Sequence, residues 1–360
     1  MNTIQDVARH AAVSVSTVSN VLNGRSDRMR PETLARVNAA IEALQFSPSK
    51  LAQRLKTGHT PLLGLLVPSM TNPMFGYIAR EVEAFAQDRY GHRLLIGSTY
   101  RDAAKEAAFF NDLMAHGVRR VIVISPLAAE RDLEAAVARG MAVMSYDCRA
   151  PSDRPSAVGH VIPDNVEAAG LATRHLIARG HTRLAFATVS GSMMNRADKA
   201  AGFLAAAKDA GLGRSAQVRD CGPLNEYGDS GIAEVGRATG LQLARDPRRP
   251  TGIVALNDLM ALGLMAGLRE AGLRVPQDVS VIGIDGHFLA ALSNPGLTTV
   301  QLPVPEMARA MVDQVMKPAA AGDAAPRARV FGELRLVERE SVAGPPPAAA
   351  AATRKSRRPA

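Results

Sequence analysis

In the first 23 residues the apolar positions fall into two short helical sets separated by a break. Ile4, Val7, Ala8 and Ala11 share one face of a first helix, and Val18, Val21 and Leu22 recur at i, i+3 and i+4 on a second. Thr3 followed by Asp6 has the spacing of a capping box, in which side-chain oxygens take up the unpaired N–H groups of a helix start. Ser14 can cap the second helix after the break around Ala12 and Val13. That leaves Val15, Ser16, Ser19 and Asn20 on or near its other face. A face of short side chains on a helix held by a partner helix is what a helix-turn-helix lays in the DNA major groove. Pro31 opens a third helix in which Leu34, Val37, Ile41 and Leu44 keep core spacing and close a three-helix unit.

A further short helix is predicted over 47–56, with Ser47 as cap and Pro48 at its first position, ended by the turn-rich 58–61. Helices shorter than ~12 residues are marginal alone because nucleation is costly. This segment is therefore expected to fold only with a partner. From Leu62 the period changes. Short apolar runs at 62–67, 93–97, 121–125 and 141–145 alternate with helical stretches up to Gly91, over 103–116 and over 130–139. After VGHVIPDN a second series follows, with runs at 183–189, 252–256 and 279–285 and helices over 165–179, 197–210, up to 244 and over 258–271; residues up to 229 are poorly patterned. Continuous apolar strands alternating with helices predict parallel sheets covered on both faces. Two doubly wound units in tandem make a two-lobe body with a cleft between them. Residues 344–360 are Pro/Ala-rich with a basic end and are expected to be disordered. They also lack the leucine heptads that would build a tetramer.

Charge sharpens this division. Residues 1–60 carry eight Lys/Arg against four Asp/Glu, and 344–360 carry four basic residues and no acid, so nearly all of the +9 formal charge sits at the two ends. Phosphate contacts are expected there, whereas the body is close to neutral. Cys148 and Cys221 form no disulfide framework or metal-ligand cluster, so a reducing compartment is expected. No signal-type leader and no apolar run near the ~20 residues of a membrane span occur, so export and insertion are not expected.

Enzyme motifs fail on context. Gly228-Asp229-Ser230-Gly231 spells a protease nucleophile sequence, but it sits between α/β elements, where Ser230 is better read as a helix cap. The Gly211–Gly213 pair lacks the rest of a dinucleotide fingerprint, no Walker loop occurs, and the eight histidines are scattered. No enzyme activity, cofactor or metal is expected. A hydrolase using Ser230 would require turnover lost on Ser230→Ala.

The text TIQDVA…VSxxTVSxVLNG, followed by a Pro-started helix and SPSKLAQRLKTG, resembles the opening of the lactose/galactose repressor (LacI-type) family of bacterial transcription regulators. NPMFGYI, the run from Asp164 to Arg183, AGF at 201–203, LNDLMALGLM and VPQDVSVIGIDG extend the resemblance through the body. It implies a helix-turn-helix head over 1–46, a hinge helix and linker over 47–60, and a periplasmic-binding-protein-like body for effector binding and dimerisation over 61–343, ahead of the tail. In that body lobe 1 spans about 61–161 and 290–323, and lobe 2 about 162–289 and 324–343, with the strand region 329–337 finishing lobe 2.

The resemblance assigns base reading to Val15, Ser16 and Asn20, and a minor-groove wedge to Leu55. Thr17, Ser19 and Asn23 are better placed for phosphates. With no Arg or Gln at the reading positions, direct readout is expected to be modest and DNA shape to matter more. In the cleft the family pattern points to Phe75, Asp147, Met193, Lys199, Asn257 and Asp285. Lys199 stands where the family usually has Arg, which puts bidentate clamping in doubt. Met193 stands where purine-binding relatives place a charge. Stacking on a sugar would fall to Phe75, Tyr146 or Phe288. Each residue has a structural alternative: Asp285 as a turn cap, Asn257 as a helix cap, Met193 as core. The implied function is a ligand-responsive repressor, homodimeric on a palindromic operator, with a sugar or sugar-acid effector, in the cytoplasm and at the nucleoid. A solute-binding protein of the same body fold is the competing reading, and the basic head and missing leader count against it.

Overall fold

A computed structural model describes residues 2–22, 25, 29–46, 61–125, 130–148, 156–191, 193–224, 231–317 and 328–347. The chain divides into two compact units, Met1–Thr60 and Pro61–Ala360. In the first unit, α1 (Ile4–His10), α2 (Val15–Leu22) and α3 (Pro31–Ala43) pack around Val7, Ala8, Ala11, Val18, Val37 and Ala40. The capping box forms: the Thr3 hydroxyl accepts from the Asp6 N–H while the Asp6 carboxylate accepts from the Thr3 N–H. Those bonds hold the Asp6 carboxyl below the usual carboxylate range. Ala12, with φ +50°, turns the chain between α1 and α2. The predicted hinge helix and Leu55 lie outside the described residues, as do Asn23, Ser230 and the tail beyond 347.

The second unit holds two six-stranded sheets. The first contains β1 (Leu62–Val67), β2 (Arg93–Ser98), β3 (Arg120–Ile124), β4 (Ala142–Tyr146) and β5 (Gly159–Pro163), connected through α4 (Pro73–Tyr90), α5 (Ala103–Ala115) and α6 (Glu130–Ala138). After α7 (Asn165–Ala178), the second is built from β6 (Leu184–Thr188), α8 (Met194–Asp209), β7 (Ala216–Asp220), α9 (Ile232–Ala244), β8 (Gly252–Ala255), α10 (Asp258–Glu270), β9 (Ser280–Asp285), α11 (Leu289–Leu292) and β10 (Thr298–Gln301). The chain ends its described course with α12 (Val304–Met316), β11 (Arg329–Phe331) and β12 (Arg335–Val337). Strand order is β11-β5-β4-β3-β1-β2 in one sheet and β12-β10-β9-β8-β6-β7 in the other, and among the described residues only the β10–β12 pair is antiparallel. Both are doubly wound, as predicted, with order reversing beside β1 and beside β6. Ligands of such sheets bind outside the carboxyl ends of the strands.

The chain crosses between lobes at other places than expected. It does not return to lobe 1 at 290: Thr298↔Ile282 and Gln301↔Asp285 pair β10 with β9, and the crossing falls between β10 and α12. There Val304, Met307, Ala308, Met311 and Val315 bury against the first lobe. The 329–337 region divides: β11 pairs with β5 in the first lobe, where Phe331 is buried, and β12 alone completes the second. Two three-residue strands a few residues apart carry no period that could assign them to different sheets. β7 escapes the pattern because it is an exposed edge strand, and β5 because Gly159, His160 and Pro163 break its apolar run.

Candidate functional site

In the head, α2 exposes Val15 (43%), Ser16 and Asn20, half-buries Thr17 and Ser19, and buries Val18 completely. The Ser14 hydroxyl accepts the Thr17 N–H at 3.2 Å and shares hydrogen bonds with the hydroxyls of Ser16 (2.7 Å) and Thr17 (2.8 Å). The helix start is thus fixed by the residues it presents. Its outer face offers one apolar contact, one hydroxyl and one amide.

In the body the carboxyl ends of both sheets enclose a cleft lined by residues of both lobes. Lobe 1 contributes Asn72 and Phe75 at the start of α4, Arg101 after β2, Ser125 after β3, and Tyr146 and Asp147 at the end of β4. Lobe 2 contributes Asn195, Arg196 and Lys199 from α8, Asn257 ahead of α10 and Asp285 at the end of β9. Arg101 (φ +56°), Ser125 (+45°), Asp147 (+59°) and Asp285 (+147°) all hold backbone conformations that L-residues rarely adopt. Such strain persists where surrounding structure over-determines it, and it clusters at ligand sites.

The Asp147 carboxylate is the junction. Asn165 Nδ2 donates to it at 2.7 Å, Asn195 Nδ2 also donates to it, and Ser125 Oγ lies at 3.5 Å. Both asparagines are therefore turned with Oδ1 away from Asp147, and those buried oxygens have no partner among the described residues. Arg101 donates to Met193 Sδ at 2.8 Å, a second link between lobes. Burial raises the Asp147 carboxyl, opposed by Lys199 and then by the two asparagine amides. Burial pushes Asp285 well above its ordinary value, again opposed first by Lys199, while neighbouring Asp258 and Asp147 add to the rise. Asp258 lies beneath, fully buried and raised to about 6 by burial. It accepts from the Gly286 (3.0 Å) and His287 (3.2 Å) N–H groups and from the Thr299 hydroxyl. Lys199 is itself buried, with Nζ donating to Leu256 O at 3.1 Å.

Of the six cleft residues read from sequence, Phe75, Asp147, Lys199, Asn257 and Asp285 come together in the lining. Met193 is not among the lining side chains; it precedes α8 and receives Arg101. Asn257 does two things at once: its Oδ1 caps α10 through the Met260 N–H at 2.9 Å, leaving its amide nitrogen for the cleft. Phe288 is 67% exposed and lines nothing here, so aromatic walls are left to Phe75 and Tyr146. Sequence reasoning missed Asn72, Arg101, Ser125, Asn165, Asn195 and Arg196. Asn165 and Asn72 were within reach, being part of the Asp164–Arg183 run and of NPMFGYI; the others carry no local signal. Among the described residues no group of His, Cys, Asp or Glu is arranged to hold a metal, and no helix is long and apolar enough to cross a membrane.

Residues 3–49 match the family described as bacterial regulatory proteins, lacI family, and residues 173–342 match a periplasmic binding protein-like domain. The HTH-type transcriptional regulator GalR of Escherichia coli (strain K12) is 31% identical over 96% of this chain and 97% of its own length. The chain belongs to the lacI family of bacterial regulators. It is accordingly a DNA-binding transcriptional regulator and not an enzyme. The ribose operon repressor of the same strain is 34% identical over 87% of this chain and 92% of its own. The crystal structure of the lac repressor dimer bound to operator and the anti-inducer ONPF shares the fold, with a TM-score of 0.77, 24% identity and coverage of 95% of this chain and 99% of that one.

Proposed function

We propose that this regulator is a homodimeric repressor. In this reading α2 reads a near-palindromic operator through Val15, Ser16 and Asn20, with Thr17, Ser19 and Asn23 on phosphates and Leu55 as the minor-groove wedge. It acts in the bacterial cytoplasm, at the nucleoid. Its effector is a sugar held by Phe75, Asp147, Lys199, Asn257 and Asp285, with Met193 at the rim.

The observation that carries the effector class is the pair of buried asparagine oxygens without a partner among the described residues, beside two carboxyls in the cleft lining. Two carboxylates and the unpartnered Oδ1 atoms of Asn165 and Asn195 call for a ligand rich in hydroxyl donors. A sugar supplies those donors, and Phe75 and Tyr146 supply apolar walls. The space now enclosed, about 60 Å³, holds only a few waters. The effector therefore enters by parting Asp147 from Asn195, and so couples its own binding to the lobes. Whatever differential contact it makes in the two lobe positions is the coupling free energy available to shift DNA affinity. The solved lac repressor dimer carries operator and a small ligand together, which supports the reading. A thermal-shift screen of sugars, sugar acids and nucleosides tests it. A sugar hit is expected to disappear in Asp285→Ala, and a hit that survives that change places the effector elsewhere. Hits confined to sugar acids or nucleosides would overturn the ligand class.

A further inference from the structure

Away from the interlobe cleft, the second lobe carries a cavity of about 340 Å³ that shares no lining residue with the cleft. That volume is within the range of small-molecule sites. Its walls are the start of β6, the edge strand β7, the end of α9 and the turn over 246–250. Three arginines line it from three separate pieces of backbone: Arg183 ahead of β6, Arg219 on β7 and Arg248 in the turn. Each piece is anchored. The Arg183 carbonyl accepts from the Thr251 N–H at 3.0 Å and the Gly252 N–H at 3.3 Å, Arg219 pairs in register with Ala187, and the Arg248 N–H donates to Asp246 Oδ1 at 2.8 Å. Gln217, two residues before Arg219, lies on the same face of β7 and adds a neutral donor and acceptor.

Elsewhere on this lobe Arg174, Arg179, Arg237 and Arg274 each pair with a Glu or Asp. Among the described residues, Arg183, Arg219 and Arg248 have no carboxylate within ion-pair distance. Asp246 is the one acidic residue in the lining, and it is occupied in part by the Arg248 N–H. Three guanidinium groups without a carboxylate partner among the described residues thus line one concave site. Guanidinium forks match phosphate oxygens bidentately and are stronger for it than point charges.

We propose that this cavity binds a small phosphate-bearing metabolite, as a second ligand of the regulator independent of the cleft. The concavity suits a compact phosphate ester rather than a duplex backbone. The test is calorimetric titration of the full chain with glucose 6-phosphate, inorganic phosphate, glucose and a duplex of random sequence. Saturable binding of glucose 6-phosphate is expected, with inorganic phosphate competing and glucose giving no heat at this site. Loss of one charge-assisted fork in Arg219→Gln should weaken that binding about tenfold or more, while Asp285→Ala leaves it unchanged. The melting temperature of Arg219→Gln without ligand should match the native chain, and Arg248→Gln supplies an independent variant on a different element. No heat from either phosphate up to about 10 mM, equal binding by native and both arginine variants, or loss in Asp285→Ala would overturn the proposal. So would binding of the duplex at this site in place of the sugar phosphate.

Discussion

Asp147 and Asp285 occupy matching places in the two halves of the body, at the ends of β4 and β9, which hold the same rank in the two strand orders. Both have positive φ, both are raised by burial, and both depend first on the Lys199 ammonium to offset it. Each strained backbone costs roughly 1–3 kcal/mol, borne by the sheets behind it. The raised carboxyls have a definite pH signature. Asp258 moves from an ordinary 3.8 to about 6 on folding, and Asp285 also moves upward. Between those values the folded chain holds protons that the unfolded chain has released, so these groups add stability at low pH and lose it as pH rises through 6. Half-buried His175 and buried His181 and His287 are shifted down and act in the opposite direction, but equally in native chain and variant. Asp285→Asn keeps an acceptor and drops the charge. It should exceed the native chain in stability at pH 8, with the gap narrower at pH 5. Urea midpoints at the two pH values decide this, and a gap independent of pH contradicts it. Asp285 is legible in the sequence through the family resemblance of VPQDVSVIGIDG. Asn195 and Arg101 are not, because what matters about them is the residue they meet across the cleft.

At the scale of elements, helical period was easily read and helix pairing was not. α9 and α10 lie backbone against backbone. A Cβ on Gly236 or Gly240 would strike the Met260 or Leu264 carbonyl, and one on Gly263 or Gly267 the Ala233 or Arg237 carbonyl. Each helix spaces its two glycines four apart, so a single face is kept clear of side chains on both sides. Gly267→Ala should therefore destabilise the body by about 1–3 kcal/mol or more through overpacking, although alanine is the better helix former. Thermal unfolding compared with Gly272→Ala separates packing from backbone strain. Gly272 has positive φ and open space around it, so its substitution tests strain alone. For α2, the sparse face of Val15, Ser16 and Asn20 makes Asn20 the only amide among the three that could pair with a base edge. Asn20→Ala is expected to weaken operator binding by roughly 1–3 kcal/mol and to relax preference at a single base pair. Uniform weakening across all sequences would instead make Asn20 a phosphate contact.

At the scale of the whole molecule, the second lobe is incomplete until the chain has left it and returned. The Ser341 hydroxyl accepts the Thr298 N–H and donates to Val281 O, while Ala343 O takes His181 Nε2 and Ser280 Oγ. β12 and the segment behind it thus lock β9, β10 and the exit of α7 from one side. A chain ending at Leu334 should fail to give the cooperative unfolding transition of a chain ending at Pro347, measured by circular dichroism on heating. Equal transitions would show the segment to be dispensable. The sequence by itself determined the three-helix head, the capping box, and the alternation of strands and helices in two tandem series, because periods of 3.6 and 2 and caps are local properties, whereas Asp285 and Asn257 came from the family resemblance. Only the tertiary structure decided where the chain crosses between lobes, which sheet takes each short strand, and that Asn165 and Asn195 both donate to Asp147 and leave buried oxygens without a partner among the described residues. Strands of three residues have no readable period, and the partner of a cleft side chain sits in the other lobe, at a sequence distance no local pattern spans.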